Sequence, residues 1–573
     1  MAQEYKKWHV GIIGAGASGL VNLKTLMEKG FTGECWEMQT GLGGVYLSTY
    51  QQAQLTTSNL SVTFSDYSHG DESIPRMYMA NEYRDYLKGY SDHYGLTPFL
   101  HFQKKVQKVE KSAEGEKYNL IVECLQSGET TTYTYDKIIV CTGANTTASI
   151  PCWPGQENFK GQIVHSSVYD SPEDFRGKRV CLIGVGESGS DIAGLVSKVA
   201  SASVMVKRGK HGHIVNRYQI PPLPVLKGSA VDQRPWPSDL DTNRSHYCIP
   251  RWAGPTIGTA RARGQGMRGD ATGDAVMSKT SRMNGSQNTH GFAIFGTKND
   301  SFVKAIVYNG LELKPSLDRI DGQDLHFEDG SVFENCDAII LNTGYRMSFP
   351  FLEEICPDFC ACPDVRSLWK HSFHADLGTD VMFSGFARPA FGALPPCSEM
   401  QARYISMLLT GERVLPPKDV QLKLTELEAE QEMWQYDGAA KRVKGLVDFL
   451  LYMDGMAEVI GCYLNFWRML HLLVTNPRVW HAVNFSPIGG VQYRLYGPDA
   501  KNQYAKQALS ASLCSRFPDR YVLMAWSWFF WIFGKMGVYF CTRSGSGLEY
   551  RKAAVFADAK KRYGWTPLSG IEA

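Results

Sequence analysis

Val10-Gly-Ile-Ile-Gly14-Ala-Gly16-Ala-Ser18-Gly19-Leu20 decides the reading of this chain. A short apolar run ends at Gly14, and after Gly19 the apolar residues Leu20, Leu23, Leu26 and Met27 recur at helical spacing. The pattern predicts a buried parallel strand, a glycine turn and a helix start. Of the three glycines, one permits the tight turn, one lets backbone approach a pyrophosphate, and one lets helix and strand pack closely. The pyrophosphate would sit on the partly positive helix N-terminus. The next predicted strand, Glu34 to Met38, carries Glu37 where an acidic side chain holds the ribose hydroxyls of a dinucleotide.

The pattern occurs twice. Arg179 to Ala193 contains Gly184, Gly186, Ser188 and Gly189, placed 170 positions after Gly14, Gly16, Ser18 and Gly19. The following strand, Ala202 to Val206, leads into Lys207 and Arg208, and Gly184 to Lys207 is the same 23-residue step as Gly14 to Glu37. At that step the charge is reversed. A carboxylate suits an unmodified ribose, whereas Lys207 and Arg208 would pair with a 2′-phosphate. The expected cofactors are therefore FAD at the first cradle and NADPH at the second.

The fold expected is α/β, with two Rossmann-like dinucleotide-binding domains and a mainly helical C-terminal extension. At 573 residues the chain is too long for one core. The boundaries read from the sequence are 1–158 for the first part of the FAD domain and 159–345 for the NADPH domain, with a loop-rich insertion near 209–300. Residues 346–450 return to the FAD domain, and 451–573 form the extension. Ile138 to Gly143 and Asp337 to Tyr345 are buried strands ending in Thr-Gly, one closing a sheet in each domain. Phe159 to Tyr169, just ahead of the second cradle, reads as a linker between the domains. Gly385 to Arg403 reads as a loop entering a helix capped by Ser398.

A formal net charge of +2 argues against nucleic acid as a main partner, which calls for a strongly basic face. The 14 cysteines form no Cys-x-x-Cys pair, and Cys356, Cys360 and Cys362 have no ordinary zinc spacing, so reduced thiols and no metal are expected. Met1 to Trp8 is polar with no apolar signal core, which places the protein on the cytosolic side of the membrane. Tyr521 to Phe540 is aromatic and apolar, but Lys535 and two glycines make it a poor span. Trp526, Trp528 and Trp531 suit a bilayer headgroup zone; the competing reading is a buried aromatic helix.

Two polar residues have two readings each. Asn59, within Leu55 to Asp66, is either the cap of a turn, its commonest use, or an amide donor beside a flavin. His165, read alone, is a satisfied loop histidine.

Both cradles, the Phe159–Tyr169 stretch and the Thr-Gly-Tyr ending together resemble the flavin-containing monooxygenases over most of the chain. That family's fingerprint, Phe-x-Gly-x-x-x-His-x-x-x-Tyr/Phe, is met by Phe159, Gly161, His165 and Tyr169. Related Baeyer-Villiger enzymes usually end it in Trp. Pro487 to Pro498 is similar to a C-terminal motif of the animal members, in which an apolar segment follows and anchors the protein to the endoplasmic reticulum. The chain departs from the family at Tyr46, where Trp is usual, and over Gly209 to Asp300.

The resemblance implies Asn59 beside the reactive face of the flavin and His165 in a segment that positions NADPH. It implies that reduced FAD takes up O2 as a peroxyflavin and oxygenates a soft nitrogen or sulfur nucleophile of a small molecule. The alternatives are Baeyer-Villiger oxidation of a ketone and, from another class, a non-catalytic redox-responsive binding protein. The residues expected at the cofactors are Gly14, Gly16, Ser18, Gly19, Glu37, Gly43, Gly44, Tyr46, Thr57, Asn59, Gly143, His165, Gly184, Gly186, Ser188, Gly189, Lys207, Arg208, Thr343, Gly344, Tyr345 and Gln401. Membrane contact through 521–540 and self-association are the further partner expectations, with a soluble cytoplasmic protein as the alternative.

Overall fold

The computed structural model describes residues 6–67, 75–207, 213–214, 217–219, 236–244, 296–436, 443–512 and 548–570. Two five-stranded parallel sheets organise them. In the first the order is Val381–Phe383, Lys137–Val140, His9–Ile13, Thr32–Trp36, Leu100–His101. In the second it is Gln162–His165, Ala338–Leu341, Arg179–Ile183, Ala202–Val206, Glu312–Lys314. The central strands are buried on both faces, which is why they read as unbroken apolar runs.

The two sheets have the same plan. In each, the cradle strand lies between the strand that follows its helix and the strand that ends in Thr-Gly. A three-stranded antiparallel sheet precedes each Thr-Gly strand: Lys104–Lys111, Tyr118–Cys124 and Thr130–Tyr135 in one, Leu317–Asp321, Asp324–Phe327 and Val332–Phe333 in the other. The outermost strand of the first sheet, Val381–Phe383, arrives after the second sheet is complete. The first domain is thus built from two separated pieces of chain.

The Phe159–Tyr169 stretch is not the linker expected from its position. Gln162–His165 pairs in parallel with Ala338–Leu341 as the edge strand of the second sheet. Gly161 permits this packing, since a Cβ there would stand 2.5 Å from both Asp337 O and the Phe159 ring. The crossing lies earlier. Thr147–Ala148 pairs antiparallel with Tyr345–Arg346, Ser149 N donates to Gly344 O at 2.9 Å, and Thr343 Oγ1 donates to Ser149 O at 2.5 Å.

The helices that matter for the site are α1 (Ala17–Glu28), α2 (Asn59–Val62), α3 (Ala80–His93) and α4 (Glu187–Val196). The Leu394–Thr410 helix packs along α1 and is almost wholly buried. It begins at Leu394 with prolines in its first turn, so Ser398 lies inside it and is not its cap. Ser398 Oγ instead meets Ser18 Oγ at 2.9 Å.

Beyond residue 448 the described residues are mainly helical, with Phe449–Ile460, Phe466–Thr475, Pro477–Phe485, Asn502–Ala511 and Leu548–Tyr563. No helix among the described residues is long and apolar enough to cross a membrane. Tyr521 to Phe540, Arg208 and most of the loop-rich insertion lie outside the described residues.

Candidate active site

The first cradle has the geometry a dinucleotide requires. Gly14 has φ +108°, and a Cβ there would stand 2.6 Å from Cys141 O; one on Gly19 would stand 2.0 Å from Gly14 O. A side chain at either position would separate strand from helix. Gly16 is the N-cap of α1, and no side chain caps the helix there. A Cβ on Gly16 would lie 3.5 Å from the Cα of Gly44, so the Gly43–Gly44 turn closes over the helix start. That leaves backbone on both sides of the place where a pyrophosphate completes the helix terminus. Glu37 is buried beside it, accepting from Ala15 N and Gln39 N at 2.9 Å each.

The second cradle repeats the strand and helix contacts of the first. Gly184 has φ +104°, its Cβ would stand 2.4 Å from Asn342 O, and a Cβ on Gly189 would stand 2.3 Å from Gly184 O. Gly14 N and Gly184 N bond to the last residue of the next strand, Trp36 O and Val206 O. Gly186 is the uncapped N-cap of α4, and nothing stands within 4 Å of a Cβ there. Ser188 follows in the first turn of α4. Lys207 is half-buried at the end of Ala202–Val206, and burial lowers its ammonium below the usual lysine range. Both sets of residues fit the nucleotides expected, with the acid Glu37 just after one strand and the cation Lys207 just after its equivalent.

Gly143 and Gly344 are the left-handed glycines, at φ +74° and +79°, that follow the two equivalent strands. His165 is 6 % exposed, with Nε2 3.0 Å from Gly344 O and Nδ1 accepting from Ser167 N at 3.1 Å. Burial holds the imidazole below its ordinary pKa, which keeps it neutral and able to serve both bonds. Its ring meets Tyr345 edge-on at 5.2 Å. His165 therefore ties the edge strand to the interdomain crossing. Tyr169 is buried against Phe175 and Tyr50.

Asn59 heads α2 and is fully buried. Its backbone N donates to Arg76 O at 2.9 Å, and its Oδ1 accepts from Arg76 N at 3.0 Å. The side-chain carbonyl thus ties the start of α2 to a residue 17 positions on and caps no local turn. Thr57 is buried in the strand Gln54–Ser58 that leads into α2. Tyr46 follows the Gly43–Gly44 turn and meets Tyr83 edge-on at 4.7 Å; burial pushes its phenol up to about 12.

Gln401 is fully buried in the interface behind the first cradle. Its Oε1 accepts from Gly385 N at 2.9 Å and its Nε2 donates to Tyr452 Oη at 2.8 Å, so both ends of the amide are bonded within the protein.

Two carboxylates not singled out in the sequence, and one motif that was, pack around these elements. Asp239, from the loop-rich insertion, accepts from Ser58 N at 2.7 Å and Ser58 Oγ at 2.9 Å, next to Asn59, and burial pushes its carboxyl up. Glu187, the first residue of α4, accepts from Lys298 N at 2.8 Å, and burial raises it too. The Pro487–Pro498 motif packs on α2: Ile488 N donates to Thr242 O, and Gly490 lies against Ser65 and Glu399. Among the described residues no group of His, Cys, Asp and Glu could hold a metal ion.

Comparison with known proteins agrees with this geometry. The chain is 29% identical, over 88% of its length and 92% of the relative, to the 4-hydroxybenzoate brominase (decarboxylating) of Marinomonas mediterranea. It is 29% identical to flavin-containing monooxygenase 5 of Oryctolagus cuniculus, covering 85% of this chain and 89% of that one. The fold is shared with S-allyl-L-cysteine S-oxygenase from Allium sativum, with a TM-score of 0.56, 20% identity, and 88% and 98% of the two chains covered. The flavin-binding monooxygenase-like family model matches residues 6–225 and 285–516 and passes over most of the loop-rich insertion. The chain belongs to that family of monooxygenases, which work with FAD, NADPH and O2 on a small-molecule substrate.

Proposed function

We propose that the protein is an NADPH- and FAD-dependent monooxygenase that transfers one oxygen atom of O2 to a soft nitrogen or sulfur centre. The balance is NADPH, H+, O2 and substrate giving NADP+, water and the N- or S-oxide. FAD, when bound, supplies hydride acceptance from NADPH and the activation of O2. In this reading residues 1–158 and 346–450 hold FAD and residues 159–345 hold NADPH. Gly14, Gly16, Gly19 and the Gly43–Gly44 turn receive the FAD pyrophosphate, and Glu37 its ribose. Gly184, Gly186 and Gly189 receive that of NADPH, and Lys207 the 2′-phosphate.

One observation carries the substrate class. Asn59 is a neutral amide whose carbonyl accepts from Arg76 N, so any hydrogen bond from this side chain to the transferred oxygen comes from its NH2 end. A neutral donor steadies oxygen without drawing a proton from it, and oxygen transfer to a nucleophile needs that proton kept. Insertion into a ketone needs an anionic oxidant, for which a cation at this position would be the better partner. Soft nucleophiles also require no general base of their own.

Oxygen transfer to bromide is a second reading, favoured by the 29% identity with the brominase, because bromide is itself a soft nucleophile. The test is aerobic turnover with NADPH and, separately, a thioether, a tertiary amine, a ketone, and bromide with a phenol. Sulfoxide or N-oxide in proportion to NADPH is expected. An ester from the ketone alone overturns the reading, and a brominated phenol alone selects the second one.

A further inference from the structure

Asp191 and Arg217, both of the second domain, form a buried, bidentate ion pair where that domain meets the first. Arg217 Nη1 lies 2.8 Å from Asp191 Oδ1, and Nη2 lies 2.6 Å from Oδ2. The Arg217 side chain is 12 % exposed and that of Asp191 10 %. Two further donors complete the carboxylate: Asn299 Nδ2 reaches Oδ1 at 2.7 Å, and Tyr50 Oη reaches Oδ2 at 2.9 Å. Arg217 Nη2 also donates to Gln54 O at 3.1 Å.

The partners come from both sides of the cleft. Asp191 is on α4, five residues after the helix cap Gly186, so it moves with the helix start proposed to hold the NADPH pyrophosphate. Tyr50 and Gln54 lie between the Gly43–Gly44 turn and Asn59, on the stretch proposed to line the flavin. Apolar packing follows the same seam: Tyr50, Ala53 and Ala80 share a core with Tyr169, Phe175 and Ile192. Besides the two-stranded crossing at Thr147–Ala148 and Tyr345–Arg346, this contact joins the two domains through side chains next to both cradles.

We infer that the Asp191–Arg217 pair, with Tyr50, is a positioning device that sets the nicotinamide ring at reacting distance from the flavin. The inference rests on the assignment of the two cradles made above. An ångström of misplacement at a reacting centre costs about a hundredfold in rate. A bidentate guanidinium–carboxylate pair is suited to the task because it restrains angle as well as distance.

The test compares FAD-loaded wild type with Arg217→Met, Arg217→Lys and Tyr50→Phe. The measurements are the rate of anaerobic flavin reduction at saturating NADPH, the rate of reduction by dithionite, flavin content, and hydrogen peroxide released per NADPH in air. Arg217→Met is expected to slow reduction by saturating NADPH at least about tenfold and to raise peroxide release, with flavin content and dithionite reduction unchanged. Arg217→Lys, which keeps the charge and loses the fork, should recover part of the rate, and Tyr50→Phe should show a smaller loss of the same kind. Should Arg217→Met fail to hold flavin, Tyr50→Phe decides the matter, since it removes one hydrogen bond and little volume. Wild-type reduction rates in Tyr50→Phe and Arg217→Met, or a defect abolished by more NADPH, overturn the inference. A wild-type flavin that NADPH cannot reduce overturns the cradle assignment, and the inference with it.

Discussion

Arg494 Nη2 lies 2.9 Å from Glu399 Oε1, and both side chains are at most 3 % exposed although 95 residues separate them. Arg494 Nε also donates to Ser65 Oγ at 2.8 Å, and Asp66 is held by Lys24, by Lys501 at 2.8 Å and by Arg494 at 3.6 Å. These cations hold the Asp66 carboxyl well below the usual carboxylate range, against the opposing effect of its burial. The network pins the C-terminal Pro487–Pro498 motif to α1, to the Leu394–Thr410 helix and to the turn just after α2. It therefore connects the C-terminal extension with the element headed by Asn59.

Replacing Arg494 by Met would leave Glu399 and Asp66 with less compensation in a dry interior. Loss of one partner of a buried pair costs about 3–5 kcal/mol. Arg494→Met is expected to lower stability by that order in chemical denaturation of the FAD-loaded protein. The variant is also expected to lose flavin more readily on heating.

The charge reversal between Glu37 and Lys207 predicts cofactor choice. Lys207→Glu is expected to raise the KM for NADPH about tenfold or more, the effect of removing one charge-assisted phosphate contact, while that for NADH changes little. Steady-state oxidation of the two cofactors measures this directly. Equal effects on both would show that Lys207 does not face the 2′-phosphate.

Asn59→Asp separates the two roles of this side chain. Aspartate keeps an acceptor for Arg76 N and removes the NH2 donor. If the donor steadies the oxygen being transferred, product formation falls by about 10²–10³, the cost of losing one such donor, and NADPH electrons emerge as hydrogen peroxide. A variant with wild-type product yield would reduce Asn59 to a structural tie to Arg76.

Protonation of His165 links the interdomain crossing to pH. Burial holds its folded-state pKa below the ordinary value of 6.5. Below that value the unfolded chain binds a proton that the native one resists, so stability falls as pH drops from about 6.5 towards the folded pKa. Denaturation midpoints between pH 7 and 5 should decline, and His165→Gln should flatten part of the decline. An unaltered slope would show that His165 does not contribute.

The fold was legible wherever local covalent geometry demanded particular residues. Gly14, Gly19, Gly184 and Gly189 occupy positions where a Cβ would strike backbone, so the amino-acid type itself declares strand, turn and helix. Glu37 and Lys207 were readable because the step from turn to strand end has the same length in both domains. The apolar runs announced the parallel strands because these are buried on both faces.

Register and long-range pairing were not legible in this way. Phe159 to Tyr169 looked like a linker because a four-residue edge strand has no signature apart from its partner, Ala338–Leu341. Ser398 looked like a cap because its oxygen's actual partner, Ser18, is 380 residues away. Asp191 stood in plain sight in the second cradle, yet Arg217, Tyr50 and Asn299 meet it only through folding, as Asp239 meets Ser58. Backbone geometry constrains residue type at a single position and is therefore written in the sequence. A hydrogen bond between distant polar side chains constrains only their final separation, which the tertiary structure alone decides.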